Sequence, residues 1–260
     1  MSVSFVQQRS FKSQAWAAGP SNPDFPNDCV DVWRVNLDEV SSTVTARSIL
    51  SSDELNRANR FHFEKDRMHF VRCRSVLRIL LGRYLAIPAE EVCFEYHPSG
   101  KPEVADQQNP RRLRFNVSHS NGLALIAVSA GRRLGVDIEM IRAEVDTLTL
   151  AEQFFSLGER ASLRSLPNQL RVPAFFACWT RKESFLKATG EGLSFPLADF
   201  SVTPYPDLNP RVEEIRGDTE AGKRWLLVDL SVVDCYRATL AVEGTFYNLE
   251  TYTQTSYLLP

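Results

Sequence analysis

Three strand-like segments between Arg112 and Ile141, "RLRFNVS", "GLALIAVS" and "RLGVDIEMI", restrict the fold more than anything else in the chain; "HSNG" and "AGR" join them. Both joints are tight-turn material and too short for a helical crossover, so successive segments must reverse direction. An antiparallel meander in one sheet is the expectation.

The flanking segments alternate in period. "CVDVWRVNL" is a strand rich in β-branched and aromatic residues, with Val30, Val32, Trp33 and Val35. Ser51 and Glu54 then fit a capping box, in which side chains satisfy the orphan backbone donors at a helix start. The segment from Asp66 to Ala86 sets Phe70, Cys73, Leu77, Leu80, Leu81 and Tyr84 on one helical face. "VCFEYHPSGKPEV" gives a strand and a turn of Pro98, Ser99 and Gly100. Beyond the meander the pattern is helical from Asp146 through "TLTLAEQFFSLGERASLRSL", and a second helix carries "FFACWTRKESFLKATGEGLSF". Strands return in "FSVTP" and "RWLLVDLSVVDCYRATLAV". This order predicts an α+β chain of two similar halves. The expected divisions are a loosely held N-terminal arm over 1–28, with three prolines within seven positions, halves over 29–133 and 134–248, and a C-terminal tail over 249–260.

A length of 260 residues with 43% hydrophobic content is enough for a sizeable core, and a net charge of −2 supplies no global field for nucleic acid or an anionic membrane. No run approaches the ~18 apolar residues of a membrane span, and no secretory leader pattern opens the chain. The five cysteines are scattered, without a C-x-x-C pair or zinc spacing, which fits reduced thiols in the cytoplasm. One local bias stands out: between Arg57 and Arg83, eight basic residues face two acidic ones. That is either a solvated helix face or a site for phosphates or an acidic partner.

Two places can carry chemistry. In "GVDIE" the period of a strand puts Asp137 and Glu139 on one face, ~7 Å apart at Cα, close enough to share an oxygen-loving cation such as Mg2+. In the later helix an apolar stripe runs Val172, Phe176, Trp179 and Leu186, and the member missing at 183 is Glu183. A carboxylate in such a register is costly unless paired or metal-bound. Pairing with Lys187 at i, i+4 explains the lysine but not the register. A third carboxylate facing Asp137 and Glu139 would make a Mg2+ site for phosphates, with Lys187 meeting a charged oxygen. By themselves His119 and Lys101 read as ordinary turn residues.

In their order and spacing, "SGKP", "FNVSHSNG", "GVDIE", "FFSLGE" and "WTRKESFLKATGEGL" resemble the 4'-phosphopantetheinyl transferases of the larger, pseudo-dimeric type, over about residues 51 to 203. The resemblance implies two related α+β halves with the active site in the cleft between them, acting as a monomer. It implies transfer of the phosphopantetheine arm of coenzyme A to a serine of an apo acyl or peptidyl carrier protein, releasing adenosine 3',5'-bisphosphate. By the same resemblance Asp137, Glu139 and Glu183 hold Mg2+, and Lys187 neutralises phosphate oxygens. Glu183, a metal-linked water or Glu159 takes the serine proton. Ser118, His119 and Ser120 meet the 3'-phosphate or ribose, Gly100, Lys101 and Pro102 line the adenine pocket, and Arg57 reaches a phosphate. Where some members carry a lysine three residues before the Arg57 position, this chain has Glu54. Two other classes share much of this pattern: a module that binds coenzyme A or carriers without chemistry, and a Mg2+-dependent phosphohydrolase.

Overall fold

The computed structural model describes residues 16–39, 43–98, 100–205, 209–244 and 248–254. The first part of the chain comprises β1 (Ala17–Ala18), β2 (Cys29–Asn36), α1 (Thr43–Ser48), α2 (Ser52–Ala58), α3 (Glu64–Leu85), β3 (Phe94–Tyr96), β4 (Pro102–Val104), β5 (Leu113–Ser120) and β6 (Leu123–Ala130). There follow β7 (Leu134–Met140), α4 (Thr147–Phe154), α5 (Leu157–Ser165), α6 (Asn168–Thr189), β8 (Phe200–Val202), β9 (Val212–Ile215), α7 (Thr219–Gly222), β10 (Trp225–Asp229), β11 (Tyr236–Glu243) and β12 (Asn248–Thr253).

Two sheets organise these elements, one in the order β1-β12-β2-β6-β5 and one in the order β10-β11-β7. Alternation along the strands explains how they stack. Trp33 and Val35 of β2 and Ile126 and Val128 of β6 pack with Leu77, Leu80 and Leu81 of α3. The intervening Val30, Val32, Leu125 and Ala127 meet Val136, Ile138, Leu240 and Val242 of the second sheet. The opposite side of that second sheet contributes Leu227 and Ala241 to a cluster with Phe175, Phe176 and Phe185 of α6. The layers therefore run α3, first sheet, second sheet, α6.

The expected meander holds only as far as the β5–β6 hairpin. β7 leaves the sheet and pairs antiparallel with β11. A glycine turn, here Gly131 at φ 67°, serves a hairpin and a corner into another sheet equally well, and the partner that decides lies about a hundred residues later in the chain. The single helix expected through "TLTLAEQFFSLGERASLRSL" is two, because Ser156 and Glu159 form a capping box and start α5 afresh.

Both chain ends differ from expectation. β12 enters the first sheet between β1 and β2, parallel to both, so Asn248–Thr253 is not a tail. The segment after Trp16 is no loose arm: the Trp16 indole donates to Ser231 O at 2.5 Å, and Gly19 lies so close to Trp33 that a Cβ would stand 2.1 Å from its ring. Backbone pairing and aromatic burial outweigh the three prolines. Residues 1–15 and 255–260, and Ser99 of the expected turn, lie outside the described residues.

The basic bias around α3 divides: Arg57, Arg60 and Lys65 are exposed, as on a solvated face, while the other five arginines are buried or half-buried. Arg72 and Arg78 are buried, and Arg74 and Arg78 both pair with buried Glu54, whose second carboxylate oxygen also completes the Ser51 capping box at 2.9 Å. Arg78 further donates to Val92 O at 2.9 Å. Glu54 is thus the anion against which Arg78 is buried and Arg74 half-buried.

Candidate active site

The site is built where β7 crosses α6, and Gly135 permits the approach. A Cβ at Gly135 would stand 2.2 Å from Ser184 O and 2.4 Å from Ala188 N, so here the strand and helix backbones touch. An isolated glycine in a strand marks such contacts. It lies two residues before Asp137, and it is the signal by which the crossing could have been found in the sequence.

Because α6 is surrounded by β7, β11, α4, α5 and β8, it is buried on most sides, and its apolar periodicity is nearly lost. Of the expected stripe, Phe176 and Leu186 are buried, while Val172, Trp179 and Glu183 are half-buried, so Glu183 stands where the packed face gives way. Glu183 therefore occupies an opening toward Asp137 and Glu139. Gly190, at φ 76°, ends the helix just beyond Lys187.

Asp137 is 3% exposed. Its Oδ1 accepts from Lys187 Nζ at 2.7 Å and from Ser118 Oγ at 2.9 Å. Lys187 Nζ also donates to Ser118 Oγ at 2.9 Å. The other oxygen, Asp137 Oδ2, is buried without a hydrogen-bond partner. Glu139 Oε2 accepts from Ser120 Oγ at 3.0 Å. Burial, then repulsion from Asp137, raises the pKa of Glu139. Burial and repulsion from Asp137 and Glu139 push Glu183 up to about 6, against the opposing pull of Lys187. Three carboxylates thus feel one another around a single lysine.

Among the described residues no three metal-ligating side chains form a ready-made cage. One oxygen of Asp137 is committed to Lys187. The donor set still suits a hard cation: Asp137 Oδ2 is a buried orphan, and oxygens of mutually repelling carboxylates are what a magnesium ion sharing its shell with waters and phosphates takes.

Two pockets flank these groups. One, of about 280 Å³, is lined by residues including Lys101, Pro102, Arg114, Arg133, Thr189 and Gly190. The other, of about 400 Å³, includes Phe61, Lys65, His69, Phe70, His119 and Arg142. Lys101 projects its stem into the first pocket, but its ammonium donates to Lys187 O at 2.7 Å and Leu134 O at 3.1 Å, and burial brings its pKa down to about 8. Gly100, at φ 83°, is an exposed turn residue that lines neither pocket. Burial lowers the pKa of His119, as do the charges of Lys187, His69 and Arg57. The Arg57 guanidinium lies 5.4 Å from the centre of the ring of Phe70, which lines the second pocket.

Glu159, an expected candidate for the base, is not at the site. It is 2% exposed and holds Lys182 Nζ at 2.7 and 2.8 Å, while its oxygens also accept from Ser156 N and Val202 N, both at 2.8 Å. Arg181, 0% exposed, is likewise spent on Asp229 and on Thr203 O at 2.6 Å. Arg133, which lines the first pocket, and His69, which lines the second, were not among the expected site residues.

Carboxylates and one lysine at a common point, between two pockets with cationic rims, define an enzyme that handles a phosphate ester or anhydride. The family model of the 4'-phosphopantetheinyl transferase superfamily matches residues 133–241, and that of the 4'-phosphopantetheinyl transferase N-terminal domain matches residues 33–131. The chain is 38% identical over 230 residues to the 4'-phosphopantetheinyl transferase HetI of Nostoc sp., covering 88% of this chain and 94% of that one. To the 4'-phosphopantetheinyl transferase Sfp of Bacillus subtilis it is 29% identical over 166 residues, covering 64% of this chain and 71% of that one. The chain belongs to the 4'-phosphopantetheinyl transferase superfamily, in its two-domain form, and transfers phosphopantetheine to carrier proteins.

Proposed function

We propose that the donor is coenzyme A, and that the reaction runs in a cleft between two halves related by a pseudo-two-fold, 29–133 and 134–248. The meeting of β5 and β7, the edge strands of the two sheets, supports that placement. In the reaction the carrier serine Oγ forms a bond to the phosphorus that bears the pantetheine arm. The bond from that phosphorus to the bridging oxygen breaks, and adenosine 3',5'-bisphosphate leaves.

Asp137, Glu139 and Glu183 would hold Mg2+, and the observation that carries this reading is the unpartnered, buried Asp137 Oδ2 beside two carboxylates of raised pKa. When bound, the ion offsets the charge of the pyrophosphate oxygens. Lys187, already placed by Asp137 and Ser118, meets the oxygens on which charge builds as the bond breaks. Glu183 would take the serine proton on the carboxylate oxygen that the ion leaves free.

Pro102 and the stem of Lys101 line the pocket proposed for adenine, with Gly100 shaping the turn above it. His119 lines the second pocket, proposed for the 3'-phosphate, and Arg57 stands over the Phe70 ring that also lines it. The five cysteines are all free, which accords with a reducing cytoplasmic setting, and no helix of the described residues is long and apolar enough to cross a membrane.

The test is mass measurement of an apo carrier after incubation with coenzyme A and Mg2+. A gain of one phosphopantetheine is expected, lost in Asp137→Ala and Glu183→Ala variants that retain the fold. No gain across several carrier classes would overturn the reading, and release of free phosphopantetheine without a carrier would replace it with a hydrolase.

A further inference from the structure

β5 and β7 are edge strands of different sheets, yet they are joined by a ladder that uses side chains in place of one backbone. Asn116 Oδ1 accepts from Val136 N at 2.9 Å, Ser118 Oγ from Ile138 N at 3.4 Å and Ser120 Oγ from Met140 N at 3.1 Å. Alternate residues of β5 thus satisfy alternate donors of β7, which the period of two allows only in one register. The residues between those donors on β7 are Asp137 and Glu139.

Each hydroxyl of the ladder then turns to a carboxylate. Ser118 donates to Asp137 Oδ1 at 2.9 Å, and Ser120 donates to Glu139 Oε2 at 3.0 Å. A hydroxyl has one proton and two acceptor lone pairs. In Ser118 the proton goes to Asp137, and the lone pairs meet Ile138 N and Lys187 Nζ, so nothing remains for a nucleotide phosphate. In Ser120 the proton is also spent, on Glu139.

We propose that Ser120 and Ser118 are positioning residues, not ligands of the nucleotide: anchored on the β7 backbone, they fix the carboxylates of Glu139 and Asp137 for the metal. Asn116, which touches neither carboxylate, sets the register. This assignment rests on the metal reading above and departs from the expectation that Ser118 and Ser120 meet the 3'-phosphate or ribose. It gives the "NVSHS" pattern a physical division of labour: positions 116, 118 and 120 bond to β7, and His119 lines the second pocket, which Ser120 reaches only with a hydroxyl whose proton is held by Glu139.

The test follows Ser120, the less buried of the two, by two readouts. Mn2+ binding to the folded protein is measured by electron paramagnetic resonance in the presence of coenzyme A, and kcat and the coenzyme A KM are measured at saturating metal. Ser120→Ala is expected to weaken Mn2+ binding about tenfold, the lower end for loss of a partner to a metal ligand, and to lower kcat with the KM changed less than about twofold. Ser120→Thr, which keeps the hydroxyl, is expected to restore both. Should the alanine variant fail to fold, Ser120→Cys keeps the volume, weakens the hydrogen bond and is read in the same way. Unchanged Mn2+ affinity, or a raised KM with kcat intact, overturns the assignment. Failure of the transferase reading is a separate result, seen as no mass gain on any carrier with the unaltered protein.

Discussion

Lys187 Nζ stands 2.7 Å from Asp137 Oδ1, and among the described residues it pairs with no other carboxylate, although Glu183 lies one turn back on the same helix. An i, i+4 pair on α6 would have explained both residues without function. The observed pair instead joins the helix to β7 and leaves Glu183 facing the site. Replacing Lys187 with methionine keeps the stem and removes the charge. Lys187→Met should lower kcat for carrier modification about 10²-fold, the scale for loss of one electrostatic contact to a transition state, with little change in the circular dichroism spectrum. A rate within about threefold of the parent would exclude Lys187 from the chemistry.

Glu159 and Lys182 make a second, wholly buried pair. Removing one partner strands the other charge, which costs about 3–5 kcal/mol, whereas an apolar pair of similar volume is often tolerated. Glu159→Gln should therefore shift the urea midpoint sharply downward, and the double variant Glu159→Gln, Lys182→Met, which removes the stranded charge and keeps an amide oxygen for Val202 N, should recover part of it. Activity per folded molecule should stay within a few-fold of the parent. A stable Glu159→Gln variant with a thousandfold lower kcat would return this residue to the role of base.

These two pairs mark what could and could not be read from the chain alone. The β5–β6 hairpin, the long α3 and the Ser51–Glu54 capping box depend on neighbours within a few residues, and all were legible. The gathering of Asp137, Glu139, Glu183 and Lys187 at one place was legible too, through motif order. Buried Arg181 and Lys182 were not, because charged residues read as exposed until their partners, Asp229 and Glu159, are seen across the fold. β12 and the departure of β7 were missed for the same reason: strand pairing is decided by partners far away in sequence. The gap at Glu183 was legible as well: Phe176 and Leu186 of the α6 stripe belong to the core, and the carboxylate between them is only half-buried.

Gly135 gives a third prediction. In Gly135→Ala the new methyl would press on backbone atoms of Ser184 and Ala188, which cannot rotate away as a side chain could. Forcing β7 and α6 apart should cost at least the ~1–3 kcal/mol of an overpacked core and move Glu183 and Lys187 relative to Asp137. The expected result is a lowered urea midpoint together with a fall in kcat larger than that in the coenzyme A KM effect. Full stability and full activity would mean that the helix accommodates the methyl without losing the site.

Asp31 supplies the pH test. It is 4% exposed on β2 and accepts from Tyr84 Oη at 2.5 Å, while Tyr84 in turn accepts from Trp33 Nε1 at 2.9 Å. Burial pushes its pKa up to about 6; the Tyr84 bond opposes that shift, and the charge of Glu250 on β12 adds to it. In the unfolded chain an aspartate titrates near ~3.9, so between these values the native state holds the extra proton. The stabilisation is complete below the unfolded pKa and is lost as pH rises through about 6. Asp31→Asn cannot ionise, and its amide oxygen can still accept from Tyr84. The variant should gain on the parent by about 2 kcal/mol between pH 4 and pH 7.5, read as the difference between their urea unfolding free energies. Taking the difference cancels Glu183 and every other group that titrates in the same range. A difference that stays flat across that interval would show that Asp31 ionises in the folded protein much as it does in the unfolded one.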